Sequence, residues 1–363
     1  MSESPSILVV GAGPTGLTAA VELARRGLLA RIVDRNEGPT PLSKAVGIAP
    51  HSLELLEPSG ATGRLLAKGL RIPCGHIYFA GQELGVVRFS TLQHRFNFLL
   101  SLPQSETEGV LAEVLAGLGG TVERHTALTE LREAGDRVEV VLQGPGGREE
   151  ASYDMVYGAD GAHSRVRDSL GLGFEGYTHD RTWSIADAEI ADWPYEAGTA
   201  QLFLQRGGNV GFIIPIGPDR FRAVSNTEDA LARIPGDYRV TRVLRSDSFR
   251  IPVRQAPRYQ TARVFLGGDA AHVHSPVGAR GMNLGIEDAA AFARRFAEDD
   301  LAGYTAERHP VGRRWIAASE RALAAVQATH PAAVALRNLA LWTLGHLPPL
   351  QRPLLARAAG LRS

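Results

Sequence analysis

The sequence has 363 residues, with 39 lysines and arginines balanced by 39 aspartates and glutamates, so its formal net charge is zero. This length exceeds one usual domain, and the balanced charge gives no electrostatic attraction to nucleic acid or to an anionic membrane. Cys74 is the only cysteine, which excludes an internal disulfide and favours a cytoplasmic protein. We expect small-molecule partners, no nucleic acid, no secretion signal and no membrane span.

The first 34 residues predict a strand, a glycine turn, a helix and a second strand. The apolar run at residues 7–10 is typical of a central strand in a parallel sheet. Gly11, Gly13 and Gly16 match a dinucleotide fingerprint, whose glycines allow a tight turn, the approach of a pyrophosphate and close helix packing. Asp34 follows the second strand, where a carboxylate accepts hydrogen bonds from an adenosine ribose. The alternative is an ordinary strand-to-helix turn.

The next segment predicts an inserted layer of antiparallel strands. A helix is expected at residues 51–57, and short alternating apolar segments follow between residues 70 and 98. A second helix is predicted from Gln104 to the glycines at 119 and 120. Three further strands are then predicted, at residues 121–123, 138–142 and 153–157.

Two later apolar strands each end in a glycine and an acid. Asp160 precedes Gly161, and Asp269 follows Gly268, which places both carboxylates at strand ends where ligands bind in open α/β sheets. Arg165 and Arg167 are expected near phosphates. The helix after residue 281 begins without bulky side chains and presents free N–H groups.

Two histidines, His272 and His274, raise the question of a metal. Without a third nearby ligand they make a poor site under the spacing rules for zinc. We therefore expect no metal.

Residues 182–257 predict a second stretch of antiparallel sheet with a hairpin at residues 207–209. Phe203, Phe212 and Ile214 on this hairpin are candidates for the wall of a substrate pocket. The alternative is that each of them fills the core beneath the sheet.

The predicted fold class is α/β: a Rossmann-like nucleotide-binding domain interrupted by a mainly antiparallel sheet, with a C-terminal helical segment. We assign residues 1–70, 101–180 and 263–310 to the first domain and residues 71–100 and 181–262 to the sheet domain. Residues 311–363 form the C-terminal helices.

Taken together, the motifs at Gly11–Gly16 with Asp34, at Asp160-Gly161 and at Gly268-Asp269 resemble one family in order and spacing. It is the FAD-dependent aromatic hydroxylases, single-component flavoprotein monooxygenases of the p-hydroxybenzoate hydroxylase type. The similarity runs from residue 7 to about residue 314. The chain resembles a short form without a C-terminal thioredoxin-like domain.

The resemblance implies a role for each matching residue. The glycine turn would hold the FAD pyrophosphate, Asp34 the adenosine ribose and Asp269 the ribityl chain. Gln104 would contact FAD, Leu128 would lie near the adenine, and Asp160 would serve both FAD and NAD(P)H. The other residues implied in cofactor binding are Pro14, Thr15, Arg35, Lys44 (where the family usually has arginine), Pro276, Gly281, Met282 and Asn283.

The resemblance also implies a reaction. Resident FAD would be reduced by a transient NADPH or NADH, because the chain has a single dinucleotide fingerprint. Reduced flavin would then react with O2 to give a C4a-hydroperoxide that hydroxylates a phenolic or polycyclic aromatic substrate, as in antibiotic biosynthesis. A Baeyer-Villiger or epoxidising outcome, an oxidase or dehydrogenase without oxygen insertion, and a non-catalytic flavin-binding pathway partner stay open. A flavin halogenase is disfavoured because the chain lacks its tryptophan motif.

One departure from the family pattern concerns the expected catalytic residues, Pro276 and Arg280. The family commonly has Gly-Gly-Gln-Gly before its Met-Asn pair, whereas this chain has Gly278-Ala279-Arg280-Gly281. Arg280 is either a cation beside the flavin ring or an outward-pointing surface arginine. No general base stands out, since His76, Tyr78 and Arg206 are better explained as structural.

Overall fold

The structure is a computed structural model that describes residues 5–39 and 45–361. Its α-helices are α1 (Pro14–Ala24), α2 (Pro50–Leu56), α3 (Ala61–Lys68), α4 (Gln104–Gly117), α5 (Arg165–Ser169), α6 (Gly281–Ala297), α7 (Tyr304–Val326), α8 (Pro331–His346) and α9 (Pro348–Ala358). Its strands are β1 (Ile7–Val10), β2 (Arg31–Val33), β3 (Gly47–Ile48), β4 (Leu70–Ile72), β5 (Cys74–Phe79), β6 (Gln82–Arg88), β7 (Leu99–Ser101), β8 (Val122–Glu123), β9 (Ala127–Ala134), β10 (Arg137–Gly144), β11 (Gly147–Tyr153), β12 (Met155–Gly158), β13 (Glu175–Thr178), β14 (Trp183–Ala191), β15 (Ala200–Leu204), β16 (Val210–Gly217), β17 (Arg220–Ser225), β18 (Arg239–Phe249), β19 (Pro252–Gln255), β20 (Val264–Leu266) and β21 (His272–Val273).

Five strands of the described residues form a parallel sheet in the order β20-β12-β1-β2-β8. All four residues of β1 are buried, as expected for a strand covered on both faces. Helices α1, α4 and α6 pack together over this sheet, and their apolar sides share its core. The parallel arrangement places the carboxyl ends of neighbouring strands at one edge.

A second, larger sheet has the order β18-β14-β17-β16-β15-β5-β6 within the described part of the chain, and we call it the large sheet. Its strands come from two separate segments, residues 74–88 and 183–249, which meet where β15 and β5 pair in parallel. Its other pairs are antiparallel. The predicted α/β fold, with a Rossmann-like sheet interrupted by a mainly antiparallel one, is confirmed.

Three smaller sheets connect these layers: β9-β10-β11, β3-β7-β4 and β13-β19-β21. The predicted helices at residues 51–57 and 104–120 correspond to α2 and α4. Helices α7, α8 and α9 confirm the helical tail, and α8 packs on β6 of the large sheet. Within residues 5–39 and 45–361, no helix combines the length and the apolar character needed to cross a bilayer.

The two faces of the large sheet carry different apolar clusters. Side chains alternate across a strand, so Phe203 lies on one face with Ile213 and Phe221, an aromatic-rich cluster that we call the outer face. Phe212 and Ile214 lie on the opposite face, with Val46 and Leu99 of the nucleotide-binding side. We call this second side the inner face.

Candidate active site

Four neighbouring strands of the parallel sheet end in turns that the sequence analysis singled out. β20 leads to Asp269, β12 to Asp160, β1 to the glycine loop at residues 11–16 and β2 to Asp34. Backbone hydrogen bonds continue past the strand ends and link these turns laterally, as in Gly11 N to Val33 O at 2.8 Å. The fold therefore brings the three motifs together at one edge of the sheet.

The glycine loop is packed tightly on its inner side and is open on its outer side. A Cβ on Gly16 would lie 1.8 Å from the carbonyl oxygen of Gly11, and a Cβ on Gly11 would lie 2.4 Å from that of Ala159. A Cβ on Gly13 would meet nothing within 4 Å, although Gly13 caps the N-terminus of α1. The free N–H groups of that helix end thus face open space, where an anion binds favourably.

Asp34 joins the glycine loop to the end of β2. Its Oδ2 accepts a hydrogen bond from Ala12 N at 2.6 Å, and its Oδ1 accepts one from Asn36 N at 2.7 Å. The Arg124 guanidinium lies 3.9 Å from the same carboxylate. Each carboxylate oxygen has more than one acceptor position, so capacity is left for a ribose hydroxyl.

Asp160 acts differently from Asp34, because protein donors occupy both of its oxygens. Oδ1 accepts from Ser164 Oγ at 2.5 Å, and Oδ2 accepts from the backbone N–H groups of Arg165 and Val166 at 2.7 and 3.1 Å. Burial raises the pKa of Asp160, and these hydrogen bonds oppose that rise. The carboxylate therefore shapes the turn, and the backbone at Asp160 is the part that lies against Gly11.

Arg167, which the sequence analysis placed near phosphates, is engaged by protein groups. Its guanidinium is buried and donates to the carbonyl oxygens of Ala270 and Ala162, each at 3.2 Å, while lying 3.9 Å from the Phe174 ring centroid. A charged side chain that is buried needs such partners. Arg167 thus supports the turn that carries Asp269.

The turn after β20 exposes Asp269 between the buried residues Gly268 and Ala270. Below it, Asp288 of α6 is fully buried and accepts hydrogen bonds from Gly268 N at 3.0 Å and His272 Nε2 at 2.7 Å. Arg308 of α7 donates from Nε to the other oxygen at 2.7 Å. Burial would raise the pKa of Asp288, but Arg308 and His272 together hold it below its usual value. His272 is therefore paired with the Asp288 carboxylate.

The segment at residues 275–281, which we call the proline turn, stands at the entrance to α6. Pro276, Gly278 and Ala279 are exposed, and Ala279 N donates to Pro276 O at 2.9 Å. The first N–H groups of α6 have no acceptor one turn earlier in the helix. Donors at a helix N-terminus can meet an anionic ring edge.

Asn283 fixes the proline turn from inside the protein. Its Oδ1 accepts from Ala49 N at 2.7 Å, and its Nδ2 donates to the carbonyl oxygens of Gly47 and Ala279 at 2.9 and 2.8 Å. The side chain is fully buried. Its amide is thus engaged by protein groups, which leaves the backbone as the part of Asn283 that can reach a cofactor.

Arg280 occupies neither of the two positions that the sequence suggested. It is 1% exposed, so it is not a surface arginine. Its guanidinium forms a hydrogen-bonded ion pair with Glu287 and lies 4.7 Å from the Trp315 ring centroid. Glu287 is seven residues farther along α6, or about 10 Å at 1.5 Å per residue. The cation is therefore directed down the helix, away from its N-terminus, which corrects its assignment as a catalytic residue.

The three proposed pocket residues do not share a wall. Phe203 belongs to the outer face, where its ring centroid lies 5.1 Å from that of Tyr78. Register pairs Phe203 with Gly211 and Leu202 with Phe212, so Phe212 and Ile214 point to the inner face. The assignment of Phe203 to the pocket is corrected by this alternation of side chains.

A buried ion pair lies beside Ile214 on the inner face. Arg222 donates from Nε and Nη2 to the two oxygens of Asp187, both at 2.7 Å, and from Nη1 to the Ala45 carbonyl oxygen at 3.0 Å. This bidentate geometry is the strong form of such a pair. It connects the large sheet to the segment that leads into β3.

The remaining candidates are dispersed around the edge. Gln104 begins α4 and donates to Glu108 at 2.7 Å, Leu128 is buried on β9, and Arg35 is exposed after β2. Met282 packs against the core of the parallel sheet. Lys44 lies outside the described residues.

Comparison with known proteins identifies the family. Residues 5–232 and 226–319 match the family model described as FAD binding domain. A 6-methylpretetramide 4-monooxygenase from Streptomyces rimosus is 33% identical over 379 residues, which cover 97% of this chain and 67% of that protein. The chain belongs to the FAD-dependent aromatic hydroxylase family.

Two further similarities support this membership. Pentachlorophenol 4-monooxygenase from Sphingobium chlorophenolicum is 33% identical over 343 residues, which cover 86% of this chain and 63% of that protein. The crystal structure of p-nitrophenol 4-monooxygenase PnpA from Pseudomonas putida DLL-E4 matches with a TM-score of 0.88 at 22% identity, over 99% of each chain, and shows the same fold. The chain spans about two thirds of the length of these two curated relatives.

The residues at the sheet edge fit the FAD of this hydroxylase family. Gly13 leaves room in front of a helix N-terminus, Asp34 retains acceptor capacity, and Asp269 is the exposed acid beyond β20. The first turn of α6 supplies backbone donors at the far end of the same edge. A pyrophosphate, a ribose, a ribityl chain and an anionic ring system would therefore each meet a suitable group.

Sequence reasoning did not find the residues that hold this edge together. Thr15, which the resemblance had implied in cofactor binding, packs between two glycines, and a Cβ on Gly285 would lie 2.1 Å from its Oγ1. Asp288, Arg308 and Asp187 went unnoticed. Their partners lie 16 to 35 residues away in the chain, so no local motif marks them.

Proposed function

We propose that this protein is a monooxygenase that uses FAD, NAD(P)H and O2 to hydroxylate an aromatic substrate of phenolic or polycyclic type. The observation that carries the proposal is the convergence of the glycine loop, Asp34 and Asp269 on the edge that also receives the N-terminus of α6. The two curated relatives, whose names specify 6-methylpretetramide and pentachlorophenol, support the choice of substrate class.

Each part of the edge has a proposed task. The glycine loop and α1 would bind the pyrophosphate, Asp34 the adenosine ribose and Asp269 the ribityl chain. Bound FAD would supply the redox chemistry, accepting hydride from NAD(P)H and activating O2. The proline turn would orient the ring system through the backbone N–H groups of α6, which stabilise developing negative charge without a buried lysine.

The aromatic substrate would lie between the proline turn and the inner face of the large sheet. Phe212 is half-buried there and Ile214 is fully buried, so the wall is apolar. Val277 of the proline turn packs near Trp183 and Val224, which closes the other side. Apolar walls exclude water and so protect a reactive oxygen species from side reactions.

The decisive experiment measures NADPH and NADH oxidation by the FAD-loaded protein with and without candidate phenols and polycyclic phenols. We expect a substrate-stimulated rate and a product that carries one oxygen atom from labelled O2. Hydrogen peroxide release with no oxygenated product would instead indicate an oxidase. A rate that no aromatic compound changes would support a flavin-binding pathway partner.

A matched pair of variants tests the binding edge itself. Asp269→Ala should weaken FAD binding by about tenfold or more, because a hydrogen bond to a charged group is lost. Asp136→Ala changes an exposed aspartate in the turn between β9 and β10 and should retain FAD. Equal flavin content in the two purified variants would contradict the role proposed for Asp269.

A further inference from the structure

Three side chains that can ligate metal converge at the edge of the large sheet. Cys74 Sγ, a ring nitrogen of His76 and a carboxylate oxygen of Glu196 all lie within 4.8 Å of one another. His76 Nε2 is 3.8 Å from Cys74 Sγ and 3.1 Å from Glu196 Oε2. This set combines the sulfur, nitrogen and oxygen donors that Zn²⁺ accepts.

The local structure explains why these groups meet. Cys74 and His76 are two residues apart on β5, so both project from the same face of the sheet. Glu196 lies in the connection between β14 and β15, where its carbonyl oxygen accepts a hydrogen bond from Thr199 Oγ1 at 2.7 Å. β15 pairs with β5, which brings this connection beside the two ligands.

The surroundings of His76 suit a metal ligand. Its Nδ1 lies 2.7 Å from Glu83 Oε2, so this carboxylate can hold one side of the ring. Nε2, the nitrogen that lies toward Cys74 and Glu196, is then the one that can bind a metal ion. Metal-bound histidines commonly show this arrangement, in which a carboxylate holds the other ring nitrogen.

The electrostatic balance points the same way. Glu83 and Glu196 place two negative charges around one imidazole, beside the Cys74 thiol. A bound divalent cation would offset the carboxylates and stabilise the thiolate.

A further polar side chain lies on the adjacent strand. Gln201 is fully buried and stands next to His76 in the register of β15 and β5. Its Nε2 donates to Thr199 Oγ1, while its Oε1 has no hydrogen-bond partner among the described residues. A buried oxygen without a hydrogen-bond partner, next to a set of possible ligands, is a second and independent sign of a bound ion or other polar ligand.

We propose that Cys74, His76 and Glu196 bind one Zn²⁺ ion, with Glu83 orienting His76. The sulfur and imidazole ligands favour zinc over magnesium or calcium. The ion would connect strand β5 to the loop before β15 on the outer face, away from the inner face and the flavin edge. This site departs from the expectation of no metal.

The test uses the tag-free, FAD-loaded full chain after treatment with a chelator. Zinc titrated against a chromophoric competitor should bind with a stoichiometry of one per chain. Cobalt should produce a thiolate charge-transfer band in the difference spectrum. Cys74→Ser and His76→Gln should abolish tight zinc binding, and Glu83→Gln should weaken it by about 10-fold to 100-fold, as loss of an outer partner does.

His330→Gln serves as the matched control, because His330 is exposed at the start of α8. It should bind zinc like the unaltered protein. Absence of stoichiometric zinc binding, or equal affinity in His76→Gln and His330→Gln, would overturn the proposal. FAD content measured in the same samples should be equal throughout, so the outcome is independent of the proposed oxygenase function.

Discussion

The glycine loop at residues 11–16 and the proline turn at residues 275–281 precede two helices that meet at the same edge of the parallel sheet, yet different forces position them. The glycine loop is held by backbone packing. Gly16 approaches the carbonyl oxygen of Gly11 so closely that even a methyl group does not fit. The loop keeps its shape because Gly11 and Gly16 have no side chain.

The proline turn is held by polar side chains that reach it from below. Asn283 donates one hydrogen bond to Ala279 of the turn and makes two with Gly47 and Ala49 at β3. Arg280 ties the end of the turn to Glu287 and Trp315. Asp288 holds the turn at Gly268, which precedes the proline turn in the chain, by accepting a hydrogen bond from Gly268 N. Its shape therefore depends on buried charges and amides, whose removal leaves unsatisfied partners.

This difference predicts that the two turns fail in different ways. A side chain added to the glycine loop should act through steric exclusion, either of the protein backbone or of the cofactor. A polar group removed near the proline turn should act through lost charge compensation. The variants below separate these effects, and all stabilities refer to the FAD-free protein unless stated.

The largest effect is expected for Asp288→Asn. The neutral amide removes the negative charge that Arg308 and His272 share, and breaking a buried ion pair typically costs about 3–5 kcal/mol. Chemical denaturation monitored by circular dichroism measures this loss. Asp299→Asn makes the same change at an exposed site and should leave stability nearly unchanged. Equal unfolding midpoints for the two variants would show that the buried network does not support the turn.

A pair of substitutions within the glycine loop should have distinct consequences. Gly16→Ala places a methyl group against the Gly11 carbonyl oxygen and should destabilise the protein by about 3 kcal/mol, the upper part of the range for overpacking. Gly13→Val meets open space and should fold normally, but it should lose FAD because its side chain fills the approach to the helix N-terminus. A yellow Gly13→Val variant would contradict the proposed position of the pyrophosphate.

The same contrast explains how much the sequence foretold. Gly11, Gly13, Gly16 and Asp34 form a local pattern, so the strand, the turn and the acid were all predictable. The three strand-end motifs also identified the parallel sheet and the edge at which they meet. Such close backbone packing requires glycine, so it can be recognised in the sequence from the glycine pattern.

The polar side chains that support the proline turn form no local sequence pattern. Arg280 was expected beside the flavin or at the surface, because its partners Glu287, Trp315 and Gly360 come together only through helix packing. Phe203 was placed with Phe212 because the register of β15 on β16 was unknown, and alternation then sends the two rings to opposite faces. Buried ion pairs and strand register are set by tertiary structure, so a single sequence does not specify them.

A smaller effect is expected from pH at His274, which leads into the proline turn. The pKa of His274 is lowered from 6.5 to about 4, chiefly by burial, with His272 and Arg280 adding to the fall and the hydrogen bond to the Ser275 carbonyl oxygen opposing it. The unfolded ring takes up a proton below 6.5, whereas the folded ring resists until about 4. Stability should therefore fall as the pH drops through this window and stay constant above it.

The expected size of this loss at about pH 5 is on the order of 1–2 kcal/mol relative to neutral pH. His274→Gln cannot be protonated, so it should lack this component. Denaturant unfolding of both proteins at about pH 7 and about pH 5 measures the difference. Identical pH dependence would mean that the folded ring accepts a proton as readily as the unfolded one.

The smallest effect concerns Ala279 and runs in the stabilising direction. Ala279 has a positive φ of 53° and follows Gly278 at 98°, so a residue with a Cβ occupies the left-handed region where the family commonly has glycine. That conformation costs an L-residue roughly 1–2 kcal/mol, and the greater freedom of glycine in the unfolded chain offsets part of any gain. Ala279→Gly should therefore stabilise the protein by about 1 kcal/mol or less, seen as a small rise in Tm. Gly278→Ala, at the same turn and also exposed, should lower the Tm instead, and a fall in Tm for both variants would show that Ala279 is retained for its rigidity.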